Sequence, residues 1–378
     1  MNEAIVVFMV AALLAYANGA NDVSKGIATL VGSGVASYGR AVLWGTFWTG
    51  LGGLAASMVA GAMLTTFGTG LLDANVTPSF AAAMSALAGA GAWVFIATHT
   101  RLPVSTTHAI VGSVVGAGVA AYGAWGIAWA SLGGKVALPL IASPLVALVL
   151  SRMISRGLTL GLGPRRAAAD CVCVTAEAAP HLAWMAPESA ALVASPLVGF
   201  SVTTGDAECC RAVQTKALRV TGDHLHWLSS GAVSFARGVN DAPKIVALAL
   251  SAAALASGSV DINAPWLFVA VTTGMVGGSF VAGHRVTQVL AEDVTPMDHR
   301  EGLAANLVTA VLVTTGAVYG LPMSTTHVSA GGIVGIGIER RSLNVKKTRE
   351  IALAWLVTLP AAALLGAGAY ALARALLS

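Results

Sequence analysis

The stretch YANGANDVSKG, residues 16–26, returns in altered form as FARGVNDAPKI, residues 235–245. A second pair accompanies it, LPVSTTH ending at His108 and LPMSTTH ending at His327. Asn21 and Asn240 lie 240 − 21 = 219 residues apart, and His108 and His327 lie 327 − 108 = 219 apart. Lys25 and Lys244 keep the same offset, as do Gly112 and Gly331. Two polar motifs held in one register over half the chain imply an internal duplication. In an apolar chain, polar residues repeated at matched depths point to one central site built from both halves.

The chain is apolar. Of its 378 residues, 56% are hydrophobic and 10% charged, and mean hydropathy is +0.78. Soluble domains carry about 25% charged residues, so too little charge is present to cover a surface in water and most of the surface must face lipid. The length accommodates roughly ten to twelve spans of about 20 residues. A net charge of +4, with the cations in loops, argues against nucleic-acid binding. Glu3 precedes the first apolar stretch without a basic leader, which reads as a retained helix and not a cleaved signal. The 43 glycines suit close helix packing in a membrane.

Apolar segments are expected near 4–20, 23–37, 41–67, 78–98, 104–123 and 130–151, and again near 227–238, 242–257, 265–290, 302–319, 323–338 and 351–377. This divides the chain into a first transmembrane repeat (1–151), a linker (152–226) and a second repeat (227–378). The linker carries Arg152, Arg156, Arg165, Arg166, Arg211, Lys216 and Arg219 among four prolines, and is expected to have little fold of its own. Residues 340–349 hold five cations, whereas their counterpart in the first repeat, AYGAWGIAWA at 121–130, holds none. By the positive-inside rule equivalent loops then lie on opposite sides, as an inverted repeat demands. The expectation is an all-α polytopic protein of the cell (inner) membrane, with two inverted repeats, broken helices or re-entrant hairpins, a cytoplasmic linker and both termini outside.

Asn18, Gly19 and Asn21 favour non-helical backbone, so a helix interruption is expected at each Asn-Asp. Asp22 and Asp241 are candidates for cation or proton coupling, with Asn21 and Asn240 adding amide oxygens, since an intramembrane carboxylate normally has a cationic partner. The alternative is a capping aspartate. Pro103 and Pro322 precede Ser105-Thr106-Thr107 and Ser324-Thr325-Thr326, and hydroxyls with free N–H groups at a helix start make an anion site. The alternative is helix capping or back-bonding. His108 and His327 either orient their loops or carry protons, the former being favoured. Lys25 and Lys244, one turn after the asparagines, either pair with the aspartates or touch the anion, unless they snorkel to an interface.

At these residues the chain resembles the inorganic phosphate transporter family, the PiT-type permeases coupled to sodium or protons. GANDV at 19–23 and GVNDA at 238–242 match its repeated GANDVANA-type signature, and PVSTTH at 103–108 and PMSTTH at 322–327 match its second; GHRVTQVLAEDVTPM at 283–297 resembles a third stretch more loosely. The resemblance implies a symporter importing inorganic phosphate. Ser105, Thr106, Thr107, Ser324, Thr325 and Thr326 would hold phosphate with Asn21 and Asn240, and Asp22 and Asp241 would bind the coupling cations. The family usually has Asn where this chain has Lys25 and Lys244. A fixed ammonium beside each aspartate can replace a bound sodium ion, so protons are expected as the coupling ion rather than sodium.

The other readings are a sulfate or other oxyanion permease and an anion channel. The aspartates weigh against both, because protonated phosphate can donate hydrogen bonds to them and sulfate cannot, and because they would obstruct an anion pore. No enzyme is expected, since no base-and-orienter pair accompanies Ser-Thr-Thr. Cys171, Cys173, Cys209 and Cys210 fall in the linker with spacing poorly suited to zinc, and no metal or cofactor site is expected. The partners expected are phosphate, a coupling cation and the lipid bilayer, with a homodimer left open.

Overall fold

The computed structural model describes residues 3–68, 70–166, 171–178, 198–205, 217–257 and 265–377. Residues 1–155 and 226–378 form one compact unit and Arg156–Leu225 another. The helices are α1 (Glu3–Gly32), α2 (Tyr38–Val59), α3 (Gly61–Gly68), α4 (Phe80–His99), α5 (Thr106–Tyr122) and α6 (Leu138–Arg166), which a π-turn over Leu132–Ala137 precedes. After the second unit come α7 (Gly222–Ser257), α8 (Pro265–Ala282), α9 (His284–Gln288), α10 (His299–Val318), α11 (Thr325–Arg340) and α12 (Val345–Leu377). Among the described residues eight helices are long and apolar enough to cross a membrane.

The repeat is visible in the helix boundaries. The start of α10 follows that of α4 by 299 − 80 = 219 residues, and the start of α11 follows that of α5 by 325 − 106 = 219. Equivalent close approaches recur as well. A side chain at Gly112 of α5 would collide with the Leu359 carbonyl of α12, and one at Gly331 of α11 with the Pro144 carbonyl of α6. Gly19 of α1 likewise abuts the Met275 carbonyl of α8, while Gly238 of α7 abuts the Thr49 carbonyl of α2. Each repeat therefore packs its motif-bearing helices on helices of the other repeat, through the small residues that close contact requires.

The bends of the α4–α5 and α10–α11 hairpins have different neighbours. Arg101, at the bend of the first, shares a cavity with Asp293 and Lys347, close in sequence to the Arg340–Glu301 ion pair at the open end of the second. Gly320, at the bend of the second, accepts a hydrogen bond from Thr66 at 3.0 Å, near residues 71–73, which pair with 126–128 just beyond the open end of the first. The outside of the bundle is apolar. Along α2, Leu43, Phe47, Leu51, Leu54 and Met58 form one exposed stripe, opposite buried Thr46, Thr49, Gly52, Gly53 and Ala56. Such an apolar exterior is suited to a hydrocarbon solvent.

Two expectations are corrected. The helices are not interrupted at Asn-Asp: α1 and α7 run unbroken through Asn21-Asp22 and Asn240-Asp241, with Pro243 inside α7. The polar side chains find partners on neighbouring elements, so the backbone keeps its own hydrogen bonds and need not unwind. The breaks fall instead at residues 100–105 and 319–324, around Pro103 and Pro322. The expected separate segments 4–20 and 23–37 thus merge into one helix that ends at Gly32, and 227–238 and 242–257 merge likewise. The linker also has a fold of its own. Strands β1 (Cys171–Ala178), β2 (Val198–Gly205) and β3 (Ala217–Thr221) form an antiparallel sheet in the order β2-β1-β3, with Cys173 opposite Thr203 and Arg219. Runs such as CVCVTAEA and VGFSVTTG are rich in residues that favour strands, a signal that the prolines and charges of the segment obscure. Cys209 and Cys210 lie outside the described residues.

Candidate functional site

The four motifs converge on one buried cluster between the repeats. On α1, Lys25 Nζ donates to Asp22 Oδ1, to Asn21 Oδ1 and to the Asn21 carbonyl, each at 2.7 Å. On α7, Lys244 Nζ donates to Asp241 Oδ1 at 3.0 Å, to Thr107 Oγ1 at 2.7 Å and to the Met323 carbonyl at 3.1 Å. Both lysines are essentially inaccessible, at 0% and 1% exposure, so neither snorkels. Each is an ion-pair partner, as the pairing alternative holds.

Asn18, one turn before Asp22, joins the carboxylates. Its Nδ2 donates to Asp22 Oδ2 at 2.9 Å and to Asp241 Oδ2 at 3.3 Å, and lies 3.1 Å from Thr106 Oγ1. Thr106 in turn donates to Asp22 Oδ2 at 3.0 Å. The two aspartates therefore share one amide, and the cluster is occluded.

The Ser-Thr-Thr triplets divide their work. Ser105 and Ser324 are the caps of α5 and α11, each accepting at 3.2 Å from the backbone N–H three residues on. This is the stabilising N-cap arrangement. Thr107 donates to the Met323 carbonyl at 3.3 Å, and its equivalent Thr326 donates to the Val104 carbonyl at 2.7 Å. Val104 and Met323 are themselves 323 − 104 = 219 residues apart. Such an exchange, in which each copy gives the other the same contact, is the mark of a two-fold relation. His108 and His327 stack on one another at 4.5 Å with 5° between ring planes, and His327 stacks in turn on Trp355 at 3.9 Å.

The asparagines act as clasps. Asn21 Nδ2 donates to Thr98 Oγ1 at 3.1 Å and the Leu102 carbonyl at 3.0 Å, while Oδ1 accepts from Val104 N–H at 3.2 Å. Its amide is fully engaged in holding the loop before α5. Asn240 Nδ2 donates to Asp241 Oδ1 at 2.8 Å and the Met323 carbonyl at 2.9 Å. Its Oδ1 is buried without a hydrogen bond, as are Thr325 Oγ1 and Asn18 Oδ1.

Sequence reasoning missed two residues. Asn18 was read only as a helix breaker. Arg237, one turn before Asp241, is fully buried and donates from Nη2 to Thr49 Oγ1 at 2.9 Å and to Ser279 Oγ at 3.0 Å. The signal was present, because 237 − 219 = 18 makes Arg237 the counterpart of Asn18 in the repeat. Extending the register one helical turn upstream finds both.

The model of the phosphate transporter family (PHO4) matches residues 18–366. Inorganic phosphate transporter 2-1 of Arabidopsis thaliana, a chloroplast protein, is 30% identical over 93% of this chain and 69% of its own. A probable low-affinity inorganic phosphate transporter of Mycobacterium bovis is 25% identical, covering 97% of this chain and 77% of its own. A putative phosphate permease of Thermococcus kodakarensis is 27% identical, covering 94% and 93%. A solved structure described as the sodium-dependent phosphate transporter superposes with a TM-score of 0.79 over 99% of both chains at 24% identity, a likeness of fold. The motif matches, the reciprocal site and the full-length family match together place this chain in the phosphate transporter family.

Proposed function

We propose that this protein carries inorganic phosphate across the cell membrane by alternating access, coupled to protons and not to sodium. The observation that carries the coupling is the ammonium on each aspartate. Lys25 and Lys244 lie 2.7 and 3.0 Å from Asp22 and Asp241, where a coupling sodium ion would otherwise have to bind. A fixed cation that close opposes a second one by Coulomb repulsion in a low-dielectric interior. Protons, which need only an oxygen or nitrogen already present, are not excluded in this way.

The substrate reading rests on the family and on the site's chemistry. Hydroxyls of Thr106, Thr107, Thr325 and Thr326 meet at two abutting helix starts, where partial positive charge favours an oxyanion. Ser105, Ser324, Asn21 and Asn240 hold those starts in place, and the substrate engages them once the hairpins part. A cavity of about 360 Å³ reaches Leu102 and Pro103 at the bend of the first hairpin, with Arg101, Arg285 and Lys347 on its wall beside Asp293 and Glu350, the two partners of Lys347, so that Arg101 and Arg285 are its cations beyond that pairing. It is the vestibule through which an anion meets that bend. The repeats are related by an axis in the membrane plane, so that rocking one against the other opens the site alternately to each side. In this reading the basic residues of the linker 152–226 and of 340–349 keep to the cytoplasmic side, with both termini outside.

Radiolabelled phosphate uptake into proteoliposomes, with proton and sodium gradients imposed separately and sulfate as competitor, tests the proposal. Uptake driven by the proton gradient, indifferent to sodium and to sulfate, is expected. Uptake that requires sodium removes the coupling reading, and transport of sulfate alone removes the substrate reading.

A further inference from the structure

We infer that Arg237 is an anion-binding residue of the transport site, the fixed positive charge that receives the substrate oxyanion. The inference rests on the phosphate-transport reading above for the identity of the anion, but not for its existence. Three observations carry it.

The first is unmet bonding capacity. The guanidinium is fully buried, and Nε and Nη1 make no hydrogen bond although Nη2 is held by Thr49 and Ser279. Buried donors without acceptors are costly, and those of a charged group more so.

The second is charge. Among the described residues the buried Asp, Glu, Lys and Arg side chains are Asp22, Lys25, Arg237, Asp241 and Lys244. Lys25 with Asp22, and Lys244 with Asp241, are each neutral as a pair whichever partner holds the proton. Arg237 cannot dispose of its charge in this way, because a guanidinium keeps its proton in proteins. Its two hydrogen-bond partners are neutral hydroxyls. Three buried cations, Lys25, Lys244 and Arg237, thus stand against two buried carboxylates, Asp22 and Asp241, an excess of one positive charge, and an anion balances it.

The third is position. Arg237 lies one turn before Asp241 on α7 and is the repeat equivalent of Asn18, whose amide bridges both aspartates. The Ser279 hydroxyl that accepts from Arg237 also donates to the Gly19 carbonyl at 3.1 Å, beside Asn18 in the chain. The guanidinium is therefore held next to the carboxylate cluster by two fixed hydroxyls, with unused N–H groups. A planar guanidinium with several donors suits a tetrahedral oxyanion.

The test uses the full-length protein, reconstituted, in phosphate–phosphate exchange with the same pH on both sides, so that no gradient enters. Arg237→Gln is expected to raise the half-saturating phosphate concentration about tenfold or more, the weight of one charge-assisted hydrogen bond. Arg237→Lys should recover part of that loss. In detergent, phosphate should raise the thermal unfolding midpoint of the natural chain and not that of folded Arg237→Gln. Wild-type half-saturation in folded Arg237→Gln would overturn the inference and leave phosphate transport standing. Should Arg237→Gln fail to fold, the Thr49→Val, Ser279→Ala chain decides. Weakened phosphate binding supports the inference, and unchanged binding overturns it. Stabilisation by sulfate alone, lost in Arg237→Gln, would refute phosphate as substrate while keeping Arg237 as the anion's ligand. Stabilisation by neither anion would overturn both.

Discussion

The two repeats present the same residues to the site and use them differently. Lys25 bonds to its own helix, to Asn21 and Asp22, whereas Lys244 crosses to Thr107 and Met323. Thr106 donates to Asp22, but its equivalent Thr325 has no partner. Asn18 unites both carboxylates, but its equivalent Arg237 reaches away to Thr49 and Ser279. Where the copies agree, at the Thr107 and Thr326 exchange and the histidine stack, they hold the repeats together. Where they disagree lie the buried groups with unused bonding capacity. A scaffold gains from symmetry, while a site for one substrate gains from a distinct donor set on each side.

The largest expected effect follows from the difference between the lysines. Asp22→Ala strips Lys25 of the carboxylate it is paired with in a fully buried position, and breaking such a pair costs about 3–5 kcal/mol. The variant should lose most of its folded yield in detergent and all measurable uptake. Asp241→Ala leaves Lys244 its bonds to Thr107 and Met323, so its unfolding midpoint should fall less. Equal losses in the two variants would show that the asymmetry has no energetic weight.

The next prediction concerns coupling. In the double variant Lys25→Asn, Lys244→Asn the aspartates lose their built-in cations. Sodium at constant membrane potential should then stimulate phosphate uptake about tenfold, a coupling near 1.4 kcal/mol, whereas the natural chain should respond little. Strong sodium stimulation of the natural chain would refute the role given to the lysines. Of the single variants, Lys244→Asn should slow uptake more, because its ammonium bonds across to Thr107 of the other repeat whereas that of Lys25 stays on its own helix.

Where the copies match, matched effects are expected. Gly112→Ala and Gly331→Ala each push a methyl group against a backbone carbonyl that cannot turn aside, Leu359 in one case and Pro144 in the other. Overpacking of this kind costs about 1–3 kcal/mol. The two unfolding midpoints should fall by similar amounts. A large inequality would mean that the α5–α12 and α11–α6 contacts are equivalent in register but not in packing.

How much of this was legible in the sequence follows the same division. The offset between YANGANDVSKG and FARGVNDAPKI announced the repeat, and the scarcity of charge announced the membrane. The pairing of Lys25 and Lys244 with the aspartates was legible from their one-turn spacing. The unbroken course of α1 and α7 was not, because Asn, Gly and Pro243 weaken a helix locally and only partners on other elements relieve them. The serine caps were legible as an alternative to anion binding, since both depend on the same residues at the same helix start. Arg237 was hidden for a different reason. An arginine beside a motif reads as a loop cation until the packing of α2 and α8 buries it.

The smallest effect separates the two histidines. His327 Nδ1 lies 2.6 Å from Ser324 Oγ, and its ring is sandwiched between His108 and Trp355. His108 Nδ1 has no hydrogen-bond partner, although both rings border the same apolar cavity of about 490 Å³, with Leu140 and Leu359 on the wall. His108→Phe replaces one flat ring by another and should leave the unfolding midpoint and uptake nearly unchanged. His327→Phe keeps the stack and the backbone cap on Ser324 but removes the Ser324 Oγ–His327 Nδ1 bond, a loss of about 1 kcal/mol, with a modest fall in the midpoint. The order matters more than the size. A proton carrier would be missed in uptake at either position regardless of stability. If His108→Phe were stable but transported poorly, His108 would have to be moved from the scaffold into the coupling path.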